Sequence, residues 1–356
     1  MEVISFAGDG LAPDLIPSEE LADCAGTALE ADGGRILSYG TGAGYTPLRE
    51  LLGEQLGVHP QRVLLTNGWL QGFALIVEGR VSAQKVVVDY PTYDRALRLL
   101  YSSAAELVFL DLHEEGPTLD LLKDTLRSIP APALALTTPT FHNPTGLSLS
   151  LEERNRLGTM LLQRGTLILE DDSYGLLRYE GEPLPTMFEL SERTIAYSTS
   201  FSHTIAPGLR VGVFVLPDEL AAELAAKANS TYITPVLLGQ ATVFEFLQRG
   251  SFEPNLERLT SELGKRRDAM LAALEQHFAG SSWSRPEGGI FVLLRLPPGT
   301  NAKQVIERAE GVTADAGADL SALPNAIRLN FAGVALEEIE PGIERLAAAF
   351  ELAPGP

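Results

Sequence analysis

The feature that most restricts how this chain can fold is an alternation. Between about residue 60 and residue 250, short apolar runs rich in β-branched residues recur, separated by stretches of helical periodicity. The runs are Val63–Thr66, Val86–Tyr90, Leu107–Leu110, Leu134–Thr137, Leu167–Glu170, Ile195–Ser198 and Val211–Leu216. Several are apolar on both faces, the pattern of strands buried in a parallel sheet with helices on either side. Leu151–Gln163 and Glu219–Asn229 read as intervening helices, each opening near a Ser, Asp or Pro. The alternation predicts an α/β domain built on a mostly parallel seven-stranded sheet.

Beyond residue 250 the pattern changes. Phe252–Phe278 is one long helical stretch, Phe291–Leu296 and Ile327–Phe331 read as strands, and Leu336–Leu352 as a terminal helix. This order predicts a smaller α+β domain. The expected division is a large domain over residues 40–250 and a small one from residues 1–39 and 251–356. No internal repeat or low-complexity segment interrupts the pattern.

A chain of 356 residues, 45% hydrophobic, can bury a large core. Its 47 acidic against 27 basic residues give a net charge of −20. Such a surface repels phosphate backbones, so nucleic acid is not an expected partner. The acids are spread along the chain, as on an ordinary solvated surface. A lone cysteine, Cys24, allows no internal disulfide and no cysteine zinc cluster, and no metal is expected. It lies in a helical pattern and is expected to be a small buried hydrophobe. Met1–Phe6 lacks the basic region and apolar run of a signal peptide, and no stretch approaches the roughly 18 apolar residues of a membrane span. No membrane partner and a cytoplasmic location are expected.

Five segments carry candidate chemistry. Asn143-Pro144-Thr145-Gly146 follows a predicted strand, and its residues are also ordinary turn formers. Glu170-Asp171-Asp172-Ser173-Tyr174 stands at the carboxyl end of an apolar strand, where open α/β sheets bind ligands. A carboxylate there can keep a pyridine nitrogen protonated, though an isolated case is as readily a solvated strand end. Ser200, Ser202 and Arg210 flank a small-residue turn and offer what a phosphate dianion needs, donors and a bidentate cation. Thr66-Asn67-Gly68-Trp69-Leu70 joins a strand to a helix, so amides at a helix N-terminus can face an anion. Tyr93, after Asp89-Tyr90-Pro91-Thr92, can lie against a planar ring.

In order and spacing, these segments resemble the class I/II aminotransferases of the fold type I enzymes that use pyridoxal 5'-phosphate (PLP). The nearest resemblance is to the branch with aminoadipate and kynurenine aminotransferases and the catalytic half of aminotransferase-like regulators. It covers nearly the whole chain, from Ser38-Tyr39-Gly40, Gly44-Tyr45 and Leu48-Arg49 to Pro286–Phe291 and Ile327–Phe331. It implies a fold type I large domain and PLP, or its amine form PMP, as cofactor. It implies that Asn143 and Tyr174 reach the ring oxygen, Asp171 the pyridinium nitrogen, and Tyr93 the ring face. Ser200, Ser202, Arg210 and the amides of Gly68, Trp69 and Leu70 would hold the phosphate. Tyr39 would reach the site of the neighbouring subunit of a homodimer, and Arg328, with Asn143, would bind the α-carboxylate of an amino acid or keto acid. The related regulators carry a DNA-binding domain ahead of this region. Here the resemblance begins at about Val3, and no such domain is expected.

The sequence departs from the family pattern in one decisive place. After Ser200-Phe201-Ser202 the family has a lysine, and this chain has His203. The five lysines, Lys85, Lys123, Lys227, Lys265 and Lys303, lie outside the motifs. The family's lysine forms an imine with the cofactor aldehyde and carries the proton at the substrate α-carbon. An imidazole cannot do the first. It can do the second, since its unperturbed pKa of about 6.5 suits proton transfer, and a nearby phosphate would move it toward the charged form. Trp69 replaces a usual small residue, Ser173 stands where Pro or Ala is frequent, and Val312–Leu320 departs from the family's Pro-Gly…Phe pattern. The expectation is non-covalent PLP or PMP, with His203, Asp171 and Tyr174 as catalytic residues. Two alternatives stay open: a catalytically inactive homologue with a binding role, and dehydratase-like chemistry with His203 as base.

Overall fold

The computed structural model describes residues 3–111, 119–317 and 323–352. In chain order, the strands are β1 (Ile4–Ser5), β2 (Val63–Asn67), β3 (Lys85–Tyr90), β4 (Glu106–Asp111), β5 (Leu134–Thr137), β6 (Leu167–Asp171), β7 (Ala196–Ser200), β8 (Val211–Val215), β9 (Ser282–Trp283), β10 (Phe291–Arg295), β11 (Val312–Thr313), β12 (Asp315–Ala316) and β13 (Ala326–Asn330). All seven runs read from the sequence between residues 60 and 220 are strands of one sheet, in the order β2-β8-β7-β6-β5-β3-β4. Strand β8 runs antiparallel to both neighbours, and the other pairings are parallel. The sheet is the mostly parallel, seven-stranded one expected.

Why these runs are apolar throughout is clear from the two faces. Val86, Val88, Leu134, Leu136 and Phe214 point to one side. There they meet Phe73 and Ile76 of α3 (Trp69–Arg80), Leu100 of α4 (Asp94–Ser102) and Leu224 of α8 (Asp218–Tyr232). The alternate residues Val87, Ala135, Ile168, Val213 and Val215 face the other side. They meet Leu48 and Leu52 of the helix Thr46–Leu56, Leu157 and Leu161 of α6 (Leu151–Leu162), and Phe246 of α9 (Leu237–Gln248). Each Val, Leu, Ile or Phe among them contributes about 1.5–3 kcal/mol when fully buried. Apart from the edge strand β4, where Glu106 and Phe109 are exposed, no strand of this sheet has a wet face, so none alternates.

The C-terminal third forms an antiparallel sheet, β12-β13-β10-β9. It lies against α10 (Phe252–His277) and the last helix, Ile339–Glu351, through Phe291, Leu294, Leu329, Met270 and Leu346. The N-terminal residues Ile4, Phe6, Leu11 and Leu15 belong to this same core, and β1 pairs with β11. The next element, helix α1 (Ser18–Ile36), packs against α9 instead. Its buried Cys24, Ala28 and Ile36 join the core of the large sheet. Residues 1–39, grouped in the sequence reading, thus divide their packing between two cores. No helix among the described residues is long and apolar enough to cross a membrane.

Candidate active site

A cavity of about 430 Å³ opens at the carboxyl ends of the parallel strands. It is lined by the residues after β2 (Trp69, Leu70), β5 (Thr138), β6 (Ser173, Tyr174) and β7 (Ser202, His203), with Asp171 and Ser200 as last residues of β6 and β7. Parallel strands bring several chain reversals to one edge, and ligands bind there in open α/β sheets.

The acids at the end of β6 divide their tasks. Glu170 is fully buried and accepts from the amides of Met187 (2.9 Å) and Phe188 (2.7 Å), capping the short helix Met187–Leu190. Asp172 accepts from Tyr197 Oη at 3.0 Å. Asp171 lines the cavity and accepts from the amide and hydroxyl of Ser173. Burial pushes Asp171 up to about 7, against the hydrogen bonds from Ser173. A carboxylate buried at such cost calls for a cationic partner.

Across the cavity stand donors without acids. Ser200 Oγ donates to Ser202 Oγ at 2.9 Å and receives the Ser202 amide at 3.2 Å. Gly68 caps α3 at φ +82°, and a Cβ there would collide with the Arg210 guanidinium. Only glycine lets Arg210 lie against the start of α3. Arg210 touches the backbone carbonyls of Asn67 (3.2 Å) and Pro207 (3.4 Å). Serine hydroxyls, a guanidinium and a helix N-terminus converge, and that donor set fits a phosphate.

Trp69 does not stand across this corner. Its ring stacks on Phe73 (4.8 Å between centroids), and its Nε1 donates to Ser198 Oγ at 2.8 Å. The indole is drawn into the core between α3 and the sheet and forms part of the cavity wall.

His203 sits between the two sides, 8% exposed, with its ring stacked on Tyr174 at 4.7 Å. Its buried Nδ1 has no hydrogen-bond partner. Burial lowers its pKa to about 4, so the imidazole is neutral near pH 7. Desolvation outweighs the protein's own charges around the ring, and the shift expected from a neighbouring phosphate acts in the opposite direction. Among the described residues, no lysine lines the cavity.

Asn143 lies in the turn where the Gly146 amide bonds His142 O, and Gly146 takes φ +70° against Phe291 O. Its Nδ2 donates to Tyr174 Oη at 3.3 Å, and its Oδ1 accepts from Arg328 Nη1 at 2.7 Å. Arg328, in the middle of β13 and 3% exposed, is paired with Asp315 (2.6 Å) and Asp9 (2.9 Å).

The structure thus brings Trp69, Leu70, Tyr93, Asn143, Asp171, Tyr174, Ser200, Ser202, His203 and Arg210 to one cavity. Gly68 stands at its rim against Arg210, and Arg328 lies behind Asn143. Tyr39 is elsewhere, 82% exposed. Of the stretch Val312–Leu320, residues 318–320 lie outside the described residues. Sequence reasoning missed Asp9, Arg95 and Thr138, which also line the cavity. The one available signal for Asp9 was an acid between two glycines just after a strand.

The chain matches the family profile of aminotransferase class I and II over residues 13–346. It is 35% identical to the 2-aminoadipate transaminase of Thermus thermophilus over 98% of this chain and 90% of the relative. Among solved structures, it resembles the alpha-aminoadipate aminotransferase LysN of Thermus thermophilus, complexed with N-(5'-phosphopyridoxyl)-L-leucine. The TM-score is 0.93 at 33% identity, covering 98% of this chain and 92% of that one. It also resembles the kynurenine aminotransferase of Pyrococcus horikoshii, in complex with PMP. There the TM-score is 0.92 at 31% identity, covering 99% and 92%.

Proposed function

We propose, for a chain that belongs to the aminotransferase class I and II family, an enzyme that holds PLP or PMP without a covalent link and acts at the α-carbon of an amino acid or keto acid. One observation carries the reading. The residues suited to the ring and the phosphate share one cavity, Arg328 stands behind Asn143 at its wall, and the residue after Ser202 is a buried histidine, not a lysine.

The cofactor, when bound, supplies an electron sink for charge that develops at the substrate α-carbon. The chain's residues do the rest. Asp171 keeps the pyridine nitrogen protonated, and that cation in turn relieves the buried carboxylate. Asn143 and Tyr174 hold the ring oxygen, and Tyr93 covers a ring face. Ser200, Ser202, Arg210 and the first amides of α3 hold the phosphate. Arg328 orients the carboxylate. His203 takes the α-proton as neutral imidazole and returns it, the proton-carrying half of a lysine's work.

The homodimer reading is supported by a surface patch. Leu37, Tyr39, Ile233 and Val236 are exposed, and Gly40 lies against Thr234 and Leu237. The Val236 amide bonds Asn67 Oδ1, one residue from Gly68, so the patch adjoins the phosphate corner. The reading of an inactive homologue draws support from Arg328, whose charge is already met by two acids.

Borohydride treatment of the PLP-loaded protein, followed by mass spectrometry, tests the cofactor link. The expected result is no pyridoxyl group on any lysine, and covalent uptake in His203→Lys. A pyridoxyl adduct on wild-type lysine overturns the reading.

A further inference from the structure

Arg328 faces two carboxylates, and the two are held differently. Asp315 is tied. It lies on β12 in register with Arg328 of β13, and its Oδ2 takes both the guanidinium and the Gly8 amide, the latter at 2.8 Å. Asp9 is loose. Its Oδ1 is buried 2.9 Å from Arg328 Nη2, yet makes no hydrogen bond of good geometry. It stands between Gly8, at φ +77°, and Gly10, and nothing lies within 4 Å of where a Cβ on either glycine would be. The backbone on either side is held, since Asn330 Nδ2 donates to Gly8 O (3.2 Å) and Gly10 O (2.9 Å), so it is the Asp9 side chain, with open space around it, that can change rotamer. Asp9 also lines the cavity, while Asp315 does not.

The guanidinium has limited room. Nη1 gives one bond to Asn143, Nη2 serves both acids, and Nε has no partner. A carboxylate is best held by two parallel N–H groups. A ligand entering from the cavity meets Asp9 where it would need the guanidinium edge.

We propose that Asp9 is a specificity-determining residue, an internal competitor that a ligand carboxylate must displace to reach Arg328. This rests on the reading of Arg328 as the group that holds the carboxylate. The consequence is a site that takes monocarboxylates more weakly than its buried arginine alone would. An uncharged or cationic group at the same place meets no such competitor.

Calorimetric titration of the PMP-loaded protein with two unreactive probes tests it, 4-methylpentanoate and 4-methylpentylamine. Asp9→Asn should tighten the carboxylate about tenfold, the size of one charge-assisted contact, and leave the amine unchanged or weaker. Asp9→Ser, which also removes the charge, should act on each probe as Asp9→Asn does. Arg328→Gln should abolish carboxylate binding with or without the Asp9 change. Unchanged or weaker carboxylate binding in both Asp9 variants, with binding still lost in Arg328→Gln, overturns the competitor and leaves the reading of Arg328 standing. Equal tightening of both probes also overturns the competitor. Carboxylate binding by Arg328→Gln at wild-type strength sinks the Arg328 reading, and the competitor with it.

Discussion

Arg210, in the cavity lining, and Arg328, behind Asn143, are set up in opposite ways. Arg210 is solvent-exposed, sits in the left-handed region at φ +54°, and touches only backbone carbonyls. Among the described residues no acid pairs with it. Arg328 is buried in the middle of a strand with two acids and an amide around it. The first cation is left for a ligand's anion, and the second is satisfied by the chain. An arginine's charge says little about its work until its partners are known. In the proposed reading Arg210 serves a binding surface as it stands. Arg328 becomes one only when a partner leaves.

The largest effect is expected midway between the two, at His203, which both arginines influence and neither bonds. His203→Ala should slow exchange of the α-proton by about 10²–10⁴-fold, the usual worth of a positioned general base. PMP affinity should stay nearly intact, because no anchor at either end is lost. NMR of a deuterated amino acid measures the exchange, and exchange at the wild-type rate removes His203 from the reaction. Burial holds the imidazole neutral down to about pH 4, so the base form persists across neutrality and exchange falls only in acid.

The next prediction sets the arginines directly against each other. Arg210→Ala should weaken PMP by roughly 2–4 kcal/mol, the loss of a charge-assisted phosphate partner, with little change in Tm. Arg328→Ala should do the reverse to the fold. It leaves Asp9 and Asp315 near each other without their cation and should destabilise by about 1–3 kcal/mol, less than a fully buried pair because both acids are partly exposed. If calorimetry gives the two variants the same pattern of affinity and Tm, the contrast fails.

The smallest effect concerns Asp171. Its folded pKa, about 7, lies above the ordinary 3.8 because burial opposes its charge. Between those values the native state holds a proton that the unfolded chain has lost, so this group's contribution to stability falls as pH rises through the window. By pH 8 the full cost is present. Asp171→Asn removes it, and the cofactor-free variant should melt about 2 °C above wild type at pH 8, with a smaller gap at pH 5. The same change should impair cofactor binding. A Tm gap that does not grow with pH counts against a buried charge at this place.

Much of this was legible in the sequence, for reasons that differ by region. The central strands are buried on both faces, so Val86–Val88 and Val211–Val215 declare themselves by unbroken apolarity. Strands β2, β4, β6 and β7 end one or two residues beyond the apolar runs, while β8 ends one residue short. Asn67, Asp111 and Asp171 are polar yet still paired in the ladder, and polarity alone reads as a strand stop. The motif residues of the cavity were legible because turn formers and strand-end acids repeat in a recognisable order. Asp9 was not, because its partner Arg328 lies more than 300 residues away and an acid between glycines reads as a turn. The packing of α1 against α9 was hidden too, since an amphipathic helix does not state which core its apolar face will join. The lowering of the His203 pKa rests on burial, which local sequence does not give.

The placement of Trp69 has a spectroscopic consequence. The chain has two tryptophans. Trp283 lies on the small sheet beside Arg285, while the Trp69 indole forms part of the cavity wall, held by Ser198 and Phe73. A fixed indole beside a pyridine ring is a donor for energy transfer at short range. In a Trp283→Phe chain all indole emission would arise from that wall, and its quenching would report ligand entry in real time, with no need for the colour that a lysine-linked cofactor lends to other members of the family.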